Sequence, residues 1–181
     1  MSPRRITKQS CPASLQIVYA QANPYRMSTM MIEDRPIVIV EDNPRERELI
    51  ASALTGYDLS HNVVTFGSGA EMLDYVGRRG AHQLRGSAPC LVVLDLDLKD
   101  MHGLEVLKAI RLDHELGNIP VVIFSGSESA LDAAVARELR ADGFIVKPTD
   151  FHSLQATVRS LAVFWASQVR TGAPMGSSNN D

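Results

Sequence analysis

Residues able to hold a phosphoryl group or its metal follow four strand-like apolar runs. They are Glu41-Asp42 after residues 36–40, Asp95 after 91–94, Ser125 after 119–124 and Lys147 after 143–146. Ligands of an open parallel sheet bind beyond the carboxyl ends of its strands. We therefore expect three carboxylates, a hydroxyl and an ammonium to meet at one edge of one sheet. Such a set suits a divalent metal, an acceptor carboxylate and two groups that contact phosphoryl oxygens.

Alternating strand and helix patterns position these residues from Arg35 onward. Asn43 is a favourable N-cap and Pro44 suits the first helical position. Ser68 and Glu71 have capping-box spacing, which predicts the start of a second helix. Five strands that alternate with five helices predict right-handed crossovers and a parallel sheet.

Two later helices have apolar stripes at helical spacing, which predict buried faces. The first stripe contains Leu131, Val135 and Leu139. The second, in an unusually long last helix, contains Phe151, Leu154, Val158, Leu161, Trp165 and Val169.

Composition indicates one globular domain with tails, because the chain has 181 residues, of which 45% are hydrophobic. The net charge of −3 gives no case for a nucleic-acid or membrane surface. No apolar stretch could span a bilayer, and we expect a cytoplasmic protein. Residues 1–34 are expected to form a poorly ordered extension, 35–170 the domain, and 171–181 a flexible tail.

The sequence resembles the receiver domain of two-component response regulators over residues 35–170. The resemblance rests on motifs in a fixed order: Val40-Glu41-Asp42-Asn43-Pro44, Leu94-Asp95-Leu96-Asp97-Leu98, Met101-His102-Gly103, Ser125-Gly126 and Val146-Lys147-Pro148. Within the family it is most similar to stand-alone regulators associated with bacterial phytochrome histidine kinases, through the long last helix. The resemblance implies an α/β, flavodoxin-like fold: a five-stranded parallel sheet of order 2-1-3-4-5 with helices on both faces.

The resemblance also implies the role of each site residue. Asp95 is expected to accept the phosphoryl group, since a carboxylate can attack phosphorus. The expected metal is Mg²⁺, with Mn²⁺ as an alternative, because a cation must neutralise charge between two anions. Its expected ligands are the carboxylates of Asp42 and Asp95 and the backbone carbonyl of Asp97, with the Glu41 carboxylate acting through water. Ser125 and Lys147 are expected to contact phosphoryl oxygens, and Ser125 and Phe144 to form a conformational switch.

The expected partners also follow from the resemblance. They are a sensor histidine kinase, with a bacteriophytochrome as the specific candidate, and a downstream phosphotransfer protein. A homodimer through the last helix is a further hypothesis, because the neighbours Phe164 and Trp165 cannot both point into the same core. The alternative is that both pack on their own domain. No output domain is expected after the last helix.

Three departures from the family pattern lie in the segment after Asp95. Asp97 stands where Asn is common, and its extra charge predicts an altered lifetime of the phosphorylated state. Lys99 replaces a common proline, and His102 replaces a common acidic residue and is expected to be a surface residue rather than a metal ligand.

Parts of the sequence also match three other functions. Leu94-Asp95-Leu96-Asp97 also matches aspartate-nucleophile phosphatases of the haloacid dehalogenase type, but those place the motif near the start and further acids on later strands. Gly67-Ser68-Gly69 lacks the third glycine of a dinucleotide-binding turn. An unphosphorylated pseudo-receiver, which would act only as an interaction module, is disfavoured because all five site residues are retained.

Overall fold

The computed structural model describes residues 17–20, 35–55, 63–82 and 88–171, with backbone alone for 17–20, 55 and 162–171. Six strands are described: β1 Ile17–Ala20, β2 Ile37–Val40, β3 Val63–Phe66, β4 Leu91–Leu94, β5 Val121–Ser125 and β6 Gly143–Val146. The helices are α1 Pro44–Thr55, α2 Gly69–Val76, α3 Gly103–Leu112, α4 Ala130–Glu138 and α5 Phe151–Thr171, with a short 3₁₀ helix at Gly80–His82.

The strands form one sheet of order β1-β6-β5-β4-β2-β3. Strands β2 to β6 pair in parallel, so the predicted five-stranded order 2-1-3-4-5 is confirmed once β1 is set aside. Apolar runs without polar alternation form these strands because both faces of the sheet are covered. In β2, Val38 packs in the core on one face and Ile37 and Ile39 pack in the core on the other.

Strand β1 was not predicted. It pairs antiparallel with β6, and Tyr19 lies opposite Phe144. Its residues have high strand propensity, and pairing satisfies backbone groups that an edge strand would otherwise leave open. The other residues of the predicted extension, 1–16 and 21–34, lie outside the described residues, so the order and the limits of that extension stay a prediction.

The predicted caps lie at the helix ends. The side chain of Asn43 accepts a hydrogen bond from the Arg45 amide at 3.1 Å. The Ser68 hydroxyl accepts one from the Glu71 amide at 3.2 Å. Ser129 is the N-cap of α4. Each cap satisfies an amide that the first helical turn leaves unpaired.

Two predicted core residues are exposed instead. Leu131 is 72% exposed, and the buried positions of α4 are Ala133 and Ala136. Two residues along a helix rotate the side chain by about 200°, so Leu131 and Ala133 face opposite ways. Phe151 is 58% exposed because it opens α5 at the edge of the sheet, one turn before the buried Leu154. Among the helices in the described ranges, none is long and apolar enough to cross a bilayer.

Candidate phosphoryl-transfer site

Backbone pairing of the sheet continues one residue past three strands and fixes the site residues there. The Glu41 amide donates to the Phe66 carbonyl at 3.0 Å. The Asp95 amide donates to the Val40 carbonyl at 3.0 Å, and the Lys147 amide donates to the Ser125 carbonyl at 2.8 Å. These side chains therefore start from rigid backbone at the carboxyl edge of the sheet, as the strand-end pattern predicts.

The Lys147 ammonium lies among three carboxylates. Its Nζ is 2.5 Å from Glu41 Oε2, 3.0 Å from Asp95 Oδ2 and 3.1 Å from Glu46 Oε2. Its side chain is only 9% exposed. Burial alone would lower the pKa of Lys147, but the charge of Asp95 and the hydrogen bond to Glu41 outweigh it and raise the pKa. The side chain is therefore a fixed cation at any physiological pH.

Glu41 is the most buried of these carboxylates, at 2% exposure. Burial raises its pKa, although the hydrogen bond and charge of Lys147 oppose the shift. Several acids share one ammonium, and the most buried of them is the hardest to ionise. Its Oε1 also accepts a hydrogen bond from the Asn43 amide at 3.0 Å, which fixes the side chain.

Carboxylate oxygens of Glu41, Asp42 and Asp95 all lie within 4.8 Å of one another. Asp95 is buried, and its Oδ1 accepts a hydrogen bond from the Leu96 amide at 2.7 Å. Donors that are all oxygen and carry several negative charges are the set that a hard divalent cation prefers. The residues present therefore fit the predicted Mg²⁺ or Mn²⁺.

The remaining predicted site residues are divided between the cleft at this edge and the core beneath it. An open cleft of about 740 Å³ is lined by the acids, by Lys147 and by Asp97, whose side chain is exposed. Gly126 lines this cleft, while the Ser125 hydroxyl is fully buried and accepts a hydrogen bond from the Ser127 amide at 3.2 Å. Phe144 is buried in the core beside β5. The side chains of Ser125 and Phe144 are thus both buried.

Gly103 allows the acceptor loop to approach α3 closely. A Cβ at this position would lie 2.2 Å from the Asp95 carbonyl oxygen, so a side chain cannot fit without moving backbone. His102, which precedes it, is the N-cap of α3, and its Nδ1 accepts a hydrogen bond from the Leu104 amide at 3.3 Å. This contact gives His102 a structural role outside the acidic cluster.

Two charged residues at the site were missed from the sequence. Glu46 contacts Lys147, and its Oε1 accepts a hydrogen bond from Asn43 Nδ2 at 2.9 Å. Its spacing of three residues from the N-cap is a capping-box signal that could have placed it at the site edge. The Lys99 ammonium lies 3.0 Å from Asp42 Oδ2. No local signal marks that contact, because it depends on how the loop after β4 folds back.

The predicted dimer residues, Phe164 and Trp165, belong to α5, but their side chains lie outside the described residues. The homodimer therefore stays a prediction.

The model of the response regulator receiver domain matches residues 37–159. The chain belongs to the response regulator receiver family. It is 32% identical over 139 residues to the probable methanogenesis regulatory protein FilR2 of Methanothrix harundinacea. The matched segment covers 76% of this chain and 88% of FilR2. Several other relatives are longer proteins, of which the chain spans 24–50%, so nothing about their other parts is carried over to this receiver.

Two solved structures show the narrower likeness. The phosphorylated cyanobacterial phytochrome response regulator RcpA is 34% identical, with a TM-score of 0.71, over 75% of this chain and 96% of RcpA. The bacteriophytochrome response regulator RtBRR is 37% identical, with a TM-score of 0.61, over 73% of this chain and 80% of RtBRR. The receiver is therefore similar to phytochrome-associated response regulators. Receivers are signalling proteins, so the family match also decides against the phosphatase alternative.

Proposed function

We propose that this receiver accepts a phosphoryl group on Asp95 from a sensor histidine kinase, in a reaction that depends on Mg²⁺, with Mn²⁺ as a substitute. The observation that carries the proposal is the convergence at one sheet edge of the Asp95 carboxylate, two further carboxylates and the Lys147 ammonium. A pure interaction module has no need to bury Glu41, Asp95 and a lysine against one another, since buried charges are costly unless they serve a purpose.

The transfer step follows from these positions. An oxygen of the Asp95 carboxylate attacks phosphorus, a new O–P bond forms, and the P–N bond to the kinase histidine breaks. The histidine nitrogen leaves with the bonding electron pair, and Asp95 becomes an acyl phosphate. We expect Lys147 Nζ, which lies 3.0 Å from Asp95 Oδ2, to pair with a transferred phosphoryl oxygen.

The carboxylates of Glu41, Asp42 and Asp95 and the backbone carbonyl of Asp97 are the groups proposed to hold the metal. When bound, a divalent cation neutralises charge between the attacking carboxylate and the phosphoryl oxygens. The residues themselves orient the acceptor: the Leu96 amide holds Asp95 Oδ1, and Asn43 holds Glu41. Lys99, whose ammonium lies 3.0 Å from Asp42 Oδ2, would compete with a cation for that carboxylate.

The signal is proposed to leave the site through Ser125 and Phe144. The Ser125 hydroxyl accepts a hydrogen bond from the Ser127 amide. On phosphorylation it would turn to donate a hydrogen bond to a phosphoryl oxygen and would move the β5–α4 loop with it. Phosphorylation then shifts an existing equilibrium of the loop and of Phe144 rather than building a new fold.

The partner proposed for the input is a histidine kinase of the phytochrome type. Its support is the likeness to RcpA and RtBRR, which are named as phytochrome and bacteriophytochrome response regulators. A downstream phosphotransfer protein and a homodimer through α5 remain proposals for the output.

A small phosphodonor provides the test of the acceptor. We expect acetyl phosphate with Mg²⁺ to give a phosphate-dependent mobility shift in wild type and in Asp97→Asn, but not in Asp95→Asn. Asp97→Asn is the matched control, because it removes the same charge two residues away and leaves the acceptor intact. Removal of divalent cations by a chelator should abolish the shift. A shift that persists in Asp95→Asn would contradict the proposal.

A further inference from the structure

The three hydrogen-bond donors of the Lys147 ammonium match three carboxylates. A lysine ammonium has three donors and no acceptor, and Nζ lies within 3.1 Å of oxygens of Glu41, Asp95 and Glu46. A phosphoryl oxygen can therefore gain this ammonium only if one of the three contacts is weakened.

Of the three contacts of Lys147, the one with Glu46 is the most readily broken. Glu41 is fixed in the core at 2% side-chain exposure, and Asp95 is the proposed acceptor itself. The Glu46 side chain is 37% exposed and makes the longest of the three contacts, 3.1 Å. Water can replace Lys147 around an exposed carboxylate far more cheaply than around a buried one.

Glu46 is nevertheless held in place. Its Oε1 accepts a hydrogen bond from Asn43 Nδ2, the N-cap residue of the same helix, while Oε2 contacts Lys147. The carboxylate thus bridges the start of α1 to the residue after β6, and its position does not depend on the phosphoryl group.

We infer that Glu46 is a positioning residue that holds Lys147 in the unphosphorylated state and competes with the phosphoryl oxygen for that ammonium. The inference rests on the proposed function and deepens it. Glu46 sets how strongly the site binds a phosphoryl group, because its negative charge is an alternative partner for the one lysine that the group needs.

Beryllium fluoride with Mg²⁺ provides a non-covalent mimic of the phosphoryl group, and its bound signal is measured by ¹⁹F NMR. Glu46→Gln keeps the shape and the hydrogen-bonding oxygen but removes the charge. We expect it to bind the mimic about 3- to 10-fold more tightly, because a charge-assisted hydrogen bond is about twice as strong as a neutral one. Glu48→Gln, which removes the same charge from an exposed position of α1, should stay within about twofold of wild type.

A double-mutant cycle separates competition for Lys147 from general repulsion. In a Lys147→Met background, Glu46→Gln should change the affinity less than about twofold, since the contested ammonium is gone. An equal gain in both backgrounds, or no gain in wild type, would overturn the inference alone. Absence of any Mg²⁺-dependent bound signal in wild type would overturn the proposed function and this inference with it.

Discussion

Loss of Arg111 from its buried pair with Asp142 is predicted to destabilise the fold far more than loss of one partner of an exposed pair of the same chemistry. Arg111 Nη2 lies 3.1 Å from Asp142 Oδ2, and the two side chains are 8% and 11% exposed. Arg111 also donates to three backbone carbonyls, those of Gly117, Ile119 and Arg140. Burial lowers the pKa of Arg111 and the charge of Asp142 opposes that shift, so the guanidinium remains charged.

Arg111→Met would remove the Arg111 guanidinium from the buried Asp142 carboxylate. Breaking one side of a buried pair costs about 3–5 kcal/mol. Asp142 keeps a hydrogen bond from the Val121 amide at 2.8 Å, so we take the lower end, about 3 kcal/mol. For a chain of this size each kcal/mol lowers Tm by about 2–4 °C, which predicts a fall of about 6–12 °C.

The matched control is Arg79→Met. Arg79 forms a 2.8 Å ion pair with Asp74, but the side chains are 60% and 54% exposed. Such a pair contributes less than about 1 kcal/mol. Urea unfolding followed by circular dichroism should therefore separate the two variants by about 2 kcal/mol or more. Equal losses, within about 0.5 kcal/mol, would refute the argument from burial.

Three further predictions concern other groups. Hydrogen bonds from the Ala70 and Gly69 amides lower the pKa of Asp100 against the opposing effect of burial. The stabilisation by Asp100 is therefore fully present above its unfolded pKa and is lost as pH falls through its lower folded pKa. Asp100→Asn should cost about 0.5 kcal/mol at pH 7 after allowance for exposure, and nothing near pH 2. An equal cost at both pH values would contradict this. Burial raises the pKa of the Cys90 thiol from 9.0 to about 11. In a Cys11→Ser background, iodoacetamide at pH 8 should therefore react with Cys90 about 100-fold more slowly than with a thiol of ordinary pKa. Similar rates for the two thiols would count against this prediction. Asp97→Asn should change the dephosphorylation rate by about 2- to 10-fold at low salt, since Asp97 lines the cleft; identical rates would discard that role.

The positions of Asp95 and Lys147 could be predicted because they depend on regular structure. Each follows a continuous apolar run, and parallel strands place their carboxyl ends together. Asn43 and Ser68 cap helices through contacts within three residues, so local sequence suffices to place them.

The errors lie where tertiary packing decides. Leu131 has helical spacing from Val135, but close packing of α4 on the core selects the small Ala133 and Ala136 instead. Strand β1 needs the edge of β6, which is more than a hundred residues away in sequence, and four residues give too short a pattern to recognise alone. The contacts of Glu46 with Lys147 and of Lys99 with Asp42 likewise join distant segments.

The central claim is tested most directly by phosphotransfer from an autophosphorylated histidine kinase of the phytochrome type. The modified residue is then located by borohydride reduction and tandem mass spectrometry. Borohydride converts an acyl phosphate of aspartate to homoserine. We predict homoserine at position 95 only when kinase and Mg²⁺ are both present, and none in Asp95→Asn. Homoserine at another position, or an unmodified chain after treatment with both the active kinase and acetyl phosphate, would contradict the account.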